Sequence, residues 1–400
     1  MKRFLVLLAS LNFVQTAPVV LWLNGYNQEQ GPSIIQTVEP GAHLYLATND
    51  ANKYLEKIQI TSGAVTFTLD QLLNGQQFTV VDKLTIKSDI PAETAKYLTG
   101  YLYVTSAAQV KDSTFSVKVV NGPSPLVVNN FKSTTVILNT ATVAAFPPFD
   151  MPAKTTYVTE MKHASNVHVN FHYGFPGSDY TTLTENQFFE NPKMVPQFNE
   201  NGDPPVDKEV FFENVEPLQI RVPYWYITAD GPFQMMVDSK YVDTQVQDVQ
   251  TVKSTGLIVI SDVLMEQKVN FPVDPTVKGV TGILLTTFLD YPIEIYYANP
   301  TSTNTQGYTG IKKHLESSTN FATTQITINA TSLAPGTFYC QYFVIGQAPV
   351  STTTPMSIIS STFSSTIAYI ISTTTHGSAN SLDLFQLAFT FLMYNLWRGF

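Results

Sequence analysis

A single cysteine in 400 residues is the first constraint this chain sets. A lone thiol, Cys340, excludes any intrachain disulfide, so the fold has to rest on apolar packing, as domains of about 100 residues can. Cys340 stands in the run Phe338-Tyr339-Cys340-Gln341-Tyr342-Phe343-Val344. Strand alternation puts Phe338, Cys340, Tyr342 and Val344 on one face. A buried thiol is the simpler reading; an intermolecular bridge or a reactive nucleophile are the alternatives.

Charge is the second scarcity. Asp, Glu, Lys and Arg make up 13% of the chain, about half the ordinary share. The net charge is −9. Removing the two end segments described below takes away Lys2, Arg3, Arg398 and Asp383, a net +2, and leaves −11. Such a body is repelled by phosphate backbones, so nucleic acid is set aside as a partner. Catalytic signatures are missing too. There is no Gly-x-Ser-x-Gly elbow, no His-Glu-x-x-His helix and no phosphate-binding glycine loop, so an enzyme is not expected and neither is a cofactor. No segment before the C-terminal tail shows sustained helical periodicity; 92–97 has room for one short turn.

What is abundant is β-branched and aromatic residues, which favour sheets. Short runs such as His43-Leu44-Tyr45-Leu46, Lys57-Ile58-Gln59-Ile60, Tyr101-Leu102-Tyr103-Val104 and Phe115-Ser116-Val117-Lys118-Val119 follow one another, separated by Gly, Asn, Asp and Pro. This pattern predicts an all-β protein of two or three tandem antiparallel β-sandwich domains, Ig-like in size. Asn121-Gly122-Pro123-Ser124-Pro125 reads as a linker. The expected boundaries are 18–123, 124–250 and 251–348.

The two ends carry addresses. Met1-Lys2-Arg3 leads into an apolar stretch that exits through small residues at Thr16-Ala17, the pattern of a secretory signal peptide over 1–17. Residues 351–375 contain 15 Ser or Thr, a composition suited to an O-glycosylated stalk over 349–377; a final β-strand is the alternative. The apolar residues 382–397 then follow, interrupted by Asp383, Gln386 and Asn395. A bilayer span needs about 20 mostly apolar residues. The tail at 378–400 therefore reads as a lipid-attachment signal, with Gly377, Ser378 and Asn380 as candidate attachment residues. A membrane span and a packed C-terminal helix are the other two readings. The expected location is the cell surface.

Signal, tandem β domains, Ser/Thr-rich stretch and apolar tail, with the phrase Ala334-Pro335-Gly336-Thr337-Phe338-Tyr339-Cys340-Gln341-Tyr342, resemble the secreted CUB-like domain proteins of nematodes. The resemblance implies CUB-like sandwiches and a surface or secreted binding protein, in some cases linked to defence against pathogens. The chain departs from that family's usual paired cysteines.

His163, His168 and His172 lie near Glu160. On a straight strand His168 and His172 stand about 13 Å apart, too far to share one zinc ion, so solvent-facing histidines are the expectation and no metal site is assigned. The acidic segment 185–216 contains Asn199-Glu200-Asn201-Gly202-Asp203, but it lacks the glycine and glutamate positions of a helical calcium loop. A solvated loop is the simpler reading. Asp203 and Asp207 form a carboxylate pair open to a secreted-hydrolase alternative. Pro223-Tyr224-Trp225-Tyr226 offers Tyr224 and Tyr226 as possible ligand-contact aromatics, with Trp225 turned to the core. Asn329-Ala330-Thr331 is the one N-glycosylation sequon, placing Asn329 on an exposed loop or strand edge. The function this supports is a surface-tethered protein acting by binding an extracellular protein or glycan; a secreted hydrolase and a structural coat component are the alternatives.

Overall fold

The computed structural model describes residues 18–139, 155–177, 186–197, 206–240, 242, 253–261, 267–270, 279–286, 293–298, 303–308, 316–320, 325–330 and 337–346, all within one compact unit, Met1–Ala348. The expected signal segment over 1–17, the expected stalk over 349–377, the apolar tail and the attachment candidates Gly377, Ser378 and Asn380 lie outside these residues.

The protein is all-β, as its alternating patterns require. The first sheet runs in the order Ser33–Ile35, Leu84–Ser88, Ile58–Ser62, Val65–Thr68. The second runs Val19–Trp22, Tyr101–Val104, His43–Ala47, Gln77–Thr79. Between them Leu44, Leu46, Leu102 and Val104 meet Ile58, Ile60, Phe67, Leu84 and Ile86 in a continuous apolar core. Short helical turns connect these strands, including Ala92–Ala95 inside the stretch expected to hold one. The turn at Ala107–Lys111 begins with a reciprocal cap: Gln109 N donates to Ser106 Oγ (3.1 Å) and Ser106 N donates to Gln109 Oε1 (3.0 Å).

A third sheet orders Gln187–Asn191, Val169–Tyr173, Tyr224–Ala229, Ser133–Asn139 and Phe115–Val120. The last two strands run parallel, with Val136 opposite Val117. The fourth and largest sheet holds nine strands. Ser124–Val128, Phe233–Lys240, Thr155–His163 and Leu218–Ile220 form one part of it. Ser254–Ser261, Thr337–Gly346, Gly279–Thr286 and Glu316–Asn320 continue it, with Asn214–Val215 beside Ser254–Ser261. Ile137, Phe171, Trp225 and Ile227 from the third sheet pack against Val158, Leu218, Phe233, Met235 and Val237 from the fourth.

The second and third sheets also meet face to face. Tyr45, Ala47, Tyr101 and Tyr103 pack against Val136, Leu138 and Tyr226, with Trp22, Phe175 and Tyr224 around them. The four sheets are therefore layers of one stack, and its two inner sheets are buried on both faces. This explains strands such as Tyr101-Leu102-Tyr103-Val104, where every residue is buried: aliphatic side chains fill one core and aromatic ones the other. Strand pairing crosses both expected boundaries. Phe115–Val120 joins the third sheet, and Leu218–Ile220 pairs in parallel with Ser254–Ser261 through Gln219 opposite Ile258. A further sheet orders Gln267–Asn270, Gln325–Ala330, Ile293–Ala298 and Thr303–Tyr308.

Candidate functional site

Tyr224 and Tyr226 point opposite to Trp225, as alternation demands, but not into solvent. Tyr226 is 1% exposed and Tyr224 is half-buried, because the second sheet covers that face. The ring of Tyr224 stacks on Phe175 at 4.2 Å, and that of Tyr226 on His172 at 4.7 Å. Burial raises the pKa of both phenols. The expected ligand-contact role for Tyr226 is thus corrected: it is core, and the missing information was the second sheet stacked above it. Trp225 is fully buried, as expected.

His172 is also a correction. It is 2% exposed rather than solvent-facing, with Nε2 against Thr228 Oγ1 at 2.8 Å. Glu160 is exposed and sits at φ 54°, where the Thr155–His163 strand shifts register between Thr159 and Lys162; this local bulge sets its direction apart from its neighbours.

The polar convergence lies elsewhere, at one end of the third sheet. His168, just before the Val169–Tyr173 strand, stands between two carboxylates. Its Nδ1 is 3.0 Å from Asp230 Oδ2 and its Nε2 is 2.8 Å from Glu209 Oε1. The backbone N–H of His168 also donates to Asp230 Oδ1 at 2.7 Å. The hydrogen bond with Glu209 raises the His168 pKa, desolvation by burial opposes it, and the hydrogen bond with Asp230 adds to the rise. Because the two carboxylates take opposite ring nitrogens, they do not converge on a common point. No metal-binding group of three His, Cys, Asp or Glu occurs among the described residues.

Beside it, His163 Nδ1 faces the carbonyl oxygen of Ala164 at 3.1 Å, and Nε2 faces Asn191 Nδ2 at 3.1 Å. Burial lowers the His163 pKa. Asn191 is buried; its Nδ2 donates to Phe212 O (3.0 Å) and its Oδ1 accepts from Phe212 N (2.9 Å). Asp230 and Glu209 lie 62 and 41 residues from His168, a separation that no sequence motif bridges; the acidic bias of 185–216 was the one available signal. The loop Asn199–Asp203 and Asp203 lie outside the described residues, while Asp207 sits in the Val206–Val210 strand opposite Pro196.

Asn329 lies in the strand Gln325–Ala330, paired with Glu294 on one side; on the other, the described residues pair as far as Ile328 opposite Gln267. Cys340 lies in a strand paired on both sides, opposite Ile258 and Leu285.

A family model described as "Glycoprotein: Transmembrane glycoprotein" matches residues 39–393. No curated protein matches the chain. Among solved structures, a chain of the X-ray structure of the entire lipid-containing bacteriophage PM2 is similar over 83% of this chain and 87% of its own, at 9% identity. Its TM-score of 0.16 is too low to carry an argument.

Proposed function

This chain belongs to the transmembrane glycoprotein family, and from that premise we propose that it is a cell-surface-tethered β-sandwich ectodomain that acts by binding an extracellular protein or glycan. The membership makes it an extracellular or membrane-associated protein. The observation that carries the reading is the extent of the family match, which takes in both the β-rich body and the apolar tail up to residue 393.

That end of the third sheet supports binding. There His168, Asp230 and Glu209 are each roughly half-exposed, with relative side-chain exposures of 41%, 47% and 53%. Loop clusters at the end of a sandwich are where such scaffolds present variable contacts on a rigid frame. A low-charge body and the apolar tail suit tethering through a lipid anchor, and the CUB-like resemblance adds a role in recognising pathogen surfaces to the proposal.

Two measurements test this. Intact cells displaying the full chain are treated with a phosphatidylinositol-specific phospholipase: release establishes the lipid anchor, and retention on the membrane establishes a span in its place. The full-length protein in detergent micelles is then applied to glycan arrays and to panels of extracellular proteins. Saturable binding to one chemical class is expected. Self-association with no saturable ligand would overturn the binding reading in favour of a coat component.

A further inference from the structure

The hairpin Lys193–Gln197/Val206–Val210 pairs residues whose numbers add to a constant, with Lys193 opposite Val210. Extended by one step, the same register sets Asn191 opposite Phe212. No backbone rung is made there. Instead the Asn191 side-chain amide donates to Phe212 O and accepts from Phe212 N, replacing a missing rung with an amide of the same polarity. The second hydrogen of Asn191 Nδ2 goes to His163 Nε2. Nearer the tip, Glu209 of the same hairpin is held by His168, which is held in turn by Asp230 from the turn after Ala229.

The hydrogen-bond polarity of the first clamp is fixed by elimination. Phe212 N can only donate and Phe212 O can only accept, so the Asn191 amide has one satisfactory orientation. That orientation aims an N–H at His163 Nε2, which must offer a lone pair. The Ala164 carbonyl requires the hydrogen on Nδ1. His163 is therefore neutral with its hydrogen on Nδ1. A proton on Nε2 would face the Asn191 N–H, and flipping the amide to relieve it would mispair both Phe212 groups. His168 has the opposite preference: it lies between two acceptors, and only the imidazolium donates to both.

We propose that the base of this hairpin is a two-histidine pH device: protonation of His168 tightens the hairpin onto the body through Glu209 and Asp230, and protonation of His163 at lower pH releases it by breaking the Asn191 rung. The titratable groups facing the pair are Glu209 on the hairpin, Asp230 on the adjoining turn and each histidine for the other; the ring of Phe211 covers His163 edge-on at 5.3 Å. The directions of the shifts agree with the geometry: burial lowers His163, and Glu209 followed by Asp230 raise His168. The hairpin is thus docked most firmly in a window around the ordinary histidine pKa of about 6.5, loosening above it as His168 loses its proton and below it as His163 gains one.

Hydrogen exchange of the full-length protein, read for segments 193–197 and 206–212 and corrected for the intrinsic pH dependence, tests this. Protection is expected to pass through a maximum near pH 6.5 and to fall about thirtyfold on further acidification, the size expected for two lost hydrogen bonds. His163→Gln, which offers an acceptor at every pH, should abolish the acid-side fall and leave the alkaline side unchanged. His168→Gln should abolish the alkaline side alone. Imidazole NMR titration gives a second readout that does not need the variants: His163 titrates below His168. A flat protection profile, an acid-side fall that persists in His163→Gln, or the reverse titration order would overturn the proposal.

Discussion

The hydroxyl of Tyr101 donates a 2.7 Å hydrogen bond to the carbonyl oxygen of Pro223, 122 residues away in the chain. It is a polar stitch in the contact between the two inner sheets, where Tyr101 also meets Trp22 at 5.1 Å and Tyr224 at 5.8 Å. Pro223 cannot donate a backbone hydrogen bond, and its carbonyl also accepts from Asn139 N at 2.8 Å. Removing the hydroxyl therefore orphans nothing. Tyr101→Phe is expected to lose about 1 kcal/mol in a urea titration, the net value of one hydrogen bond. Tyr101→Ala should lose about 3–5 kcal/mol, because a fully buried ring leaves a hole between two sheets. Equal losses for the two variants would show that the sheets are not packed through this ring.

How much of this was legible beforehand follows from the period of the side chains. Strand content was readable because runs such as Lys57-Ile58-Gln59-Ile60 alternate, and Ile58 and Ile60 are indeed buried while Gln59 is half-buried. The stacking of the inner sheets left a signal of a different kind: in Tyr101-Leu102-Tyr103-Val104 and Tyr224-Trp225-Tyr226-Ile227 neither face is polar. Read as half-buried strands, those runs put Tyr226 near solvent; read as strands covered on both sides, they place it in a core. The histidine cluster was less legible. His168 owes its environment to Asp230 and Glu209, which arrive from a turn and a hairpin, and local sequence carries no record of which loops share one end of a sandwich.

Gly100 sits at a close approach of the chain between Thr48 and Leu23. A Cβ there would lie 2.5 Å from both Cβ and Oγ1 of Thr48 and 2.7 Å from Leu23 Cδ1. Neither neighbour is free to withdraw. Thr48 Oγ1 donates to Asp50 Oδ2 (3.1 Å) and accepts from Asp50 N (2.9 Å), and Leu23 N donates to Gly100 O (2.9 Å). Gly100→Ala is expected to cost about 1–3 kcal/mol as an overpacked site. Gly122→Ala, with nothing within 4 Å of the new methyl, should stay within about 0.5 kcal/mol of the parent. Thermal denaturation of the two variants side by side checks the contrast; similar melting temperatures would refute it.

Asn329-Ala330-Thr331 bears on the glycoprotein character directly. In the Gln325–Ala330 strand the backbone of Asn329 pairs with Glu294. Protein secreted from a eukaryotic host is expected to lose one glycan's mass on treatment with an N-glycosidase, and Asn329→Gln should already migrate at the lower mass. An unchanged mass for the variant would remove Asn329 as the acceptor.

The tyrosines of the inner layers give a stability limit on the alkaline side. Burial pushes the Tyr45 phenol up to about 12 and raises Tyr101, Tyr224 and Tyr226 above the ordinary value. In the unfolded chain these groups lose their protons near pH 10. Above that pH the folded state binds more protons than the unfolded one, so stability falls as pH rises. The contribution is whole below about pH 10 and is lost between about 10 and 12, the window set by the unfolded value and by Tyr45. Absorbance of the phenolate followed with circular dichroism should therefore show exposed tyrosines ionising first with the fold intact. A second, cooperative phase should coincide with loss of β structure. If all 20 tyrosines of the chain ionised in a single step near pH 10 while the sheet signal stayed native, the face-to-face burial of the two inner sheets would be wrong.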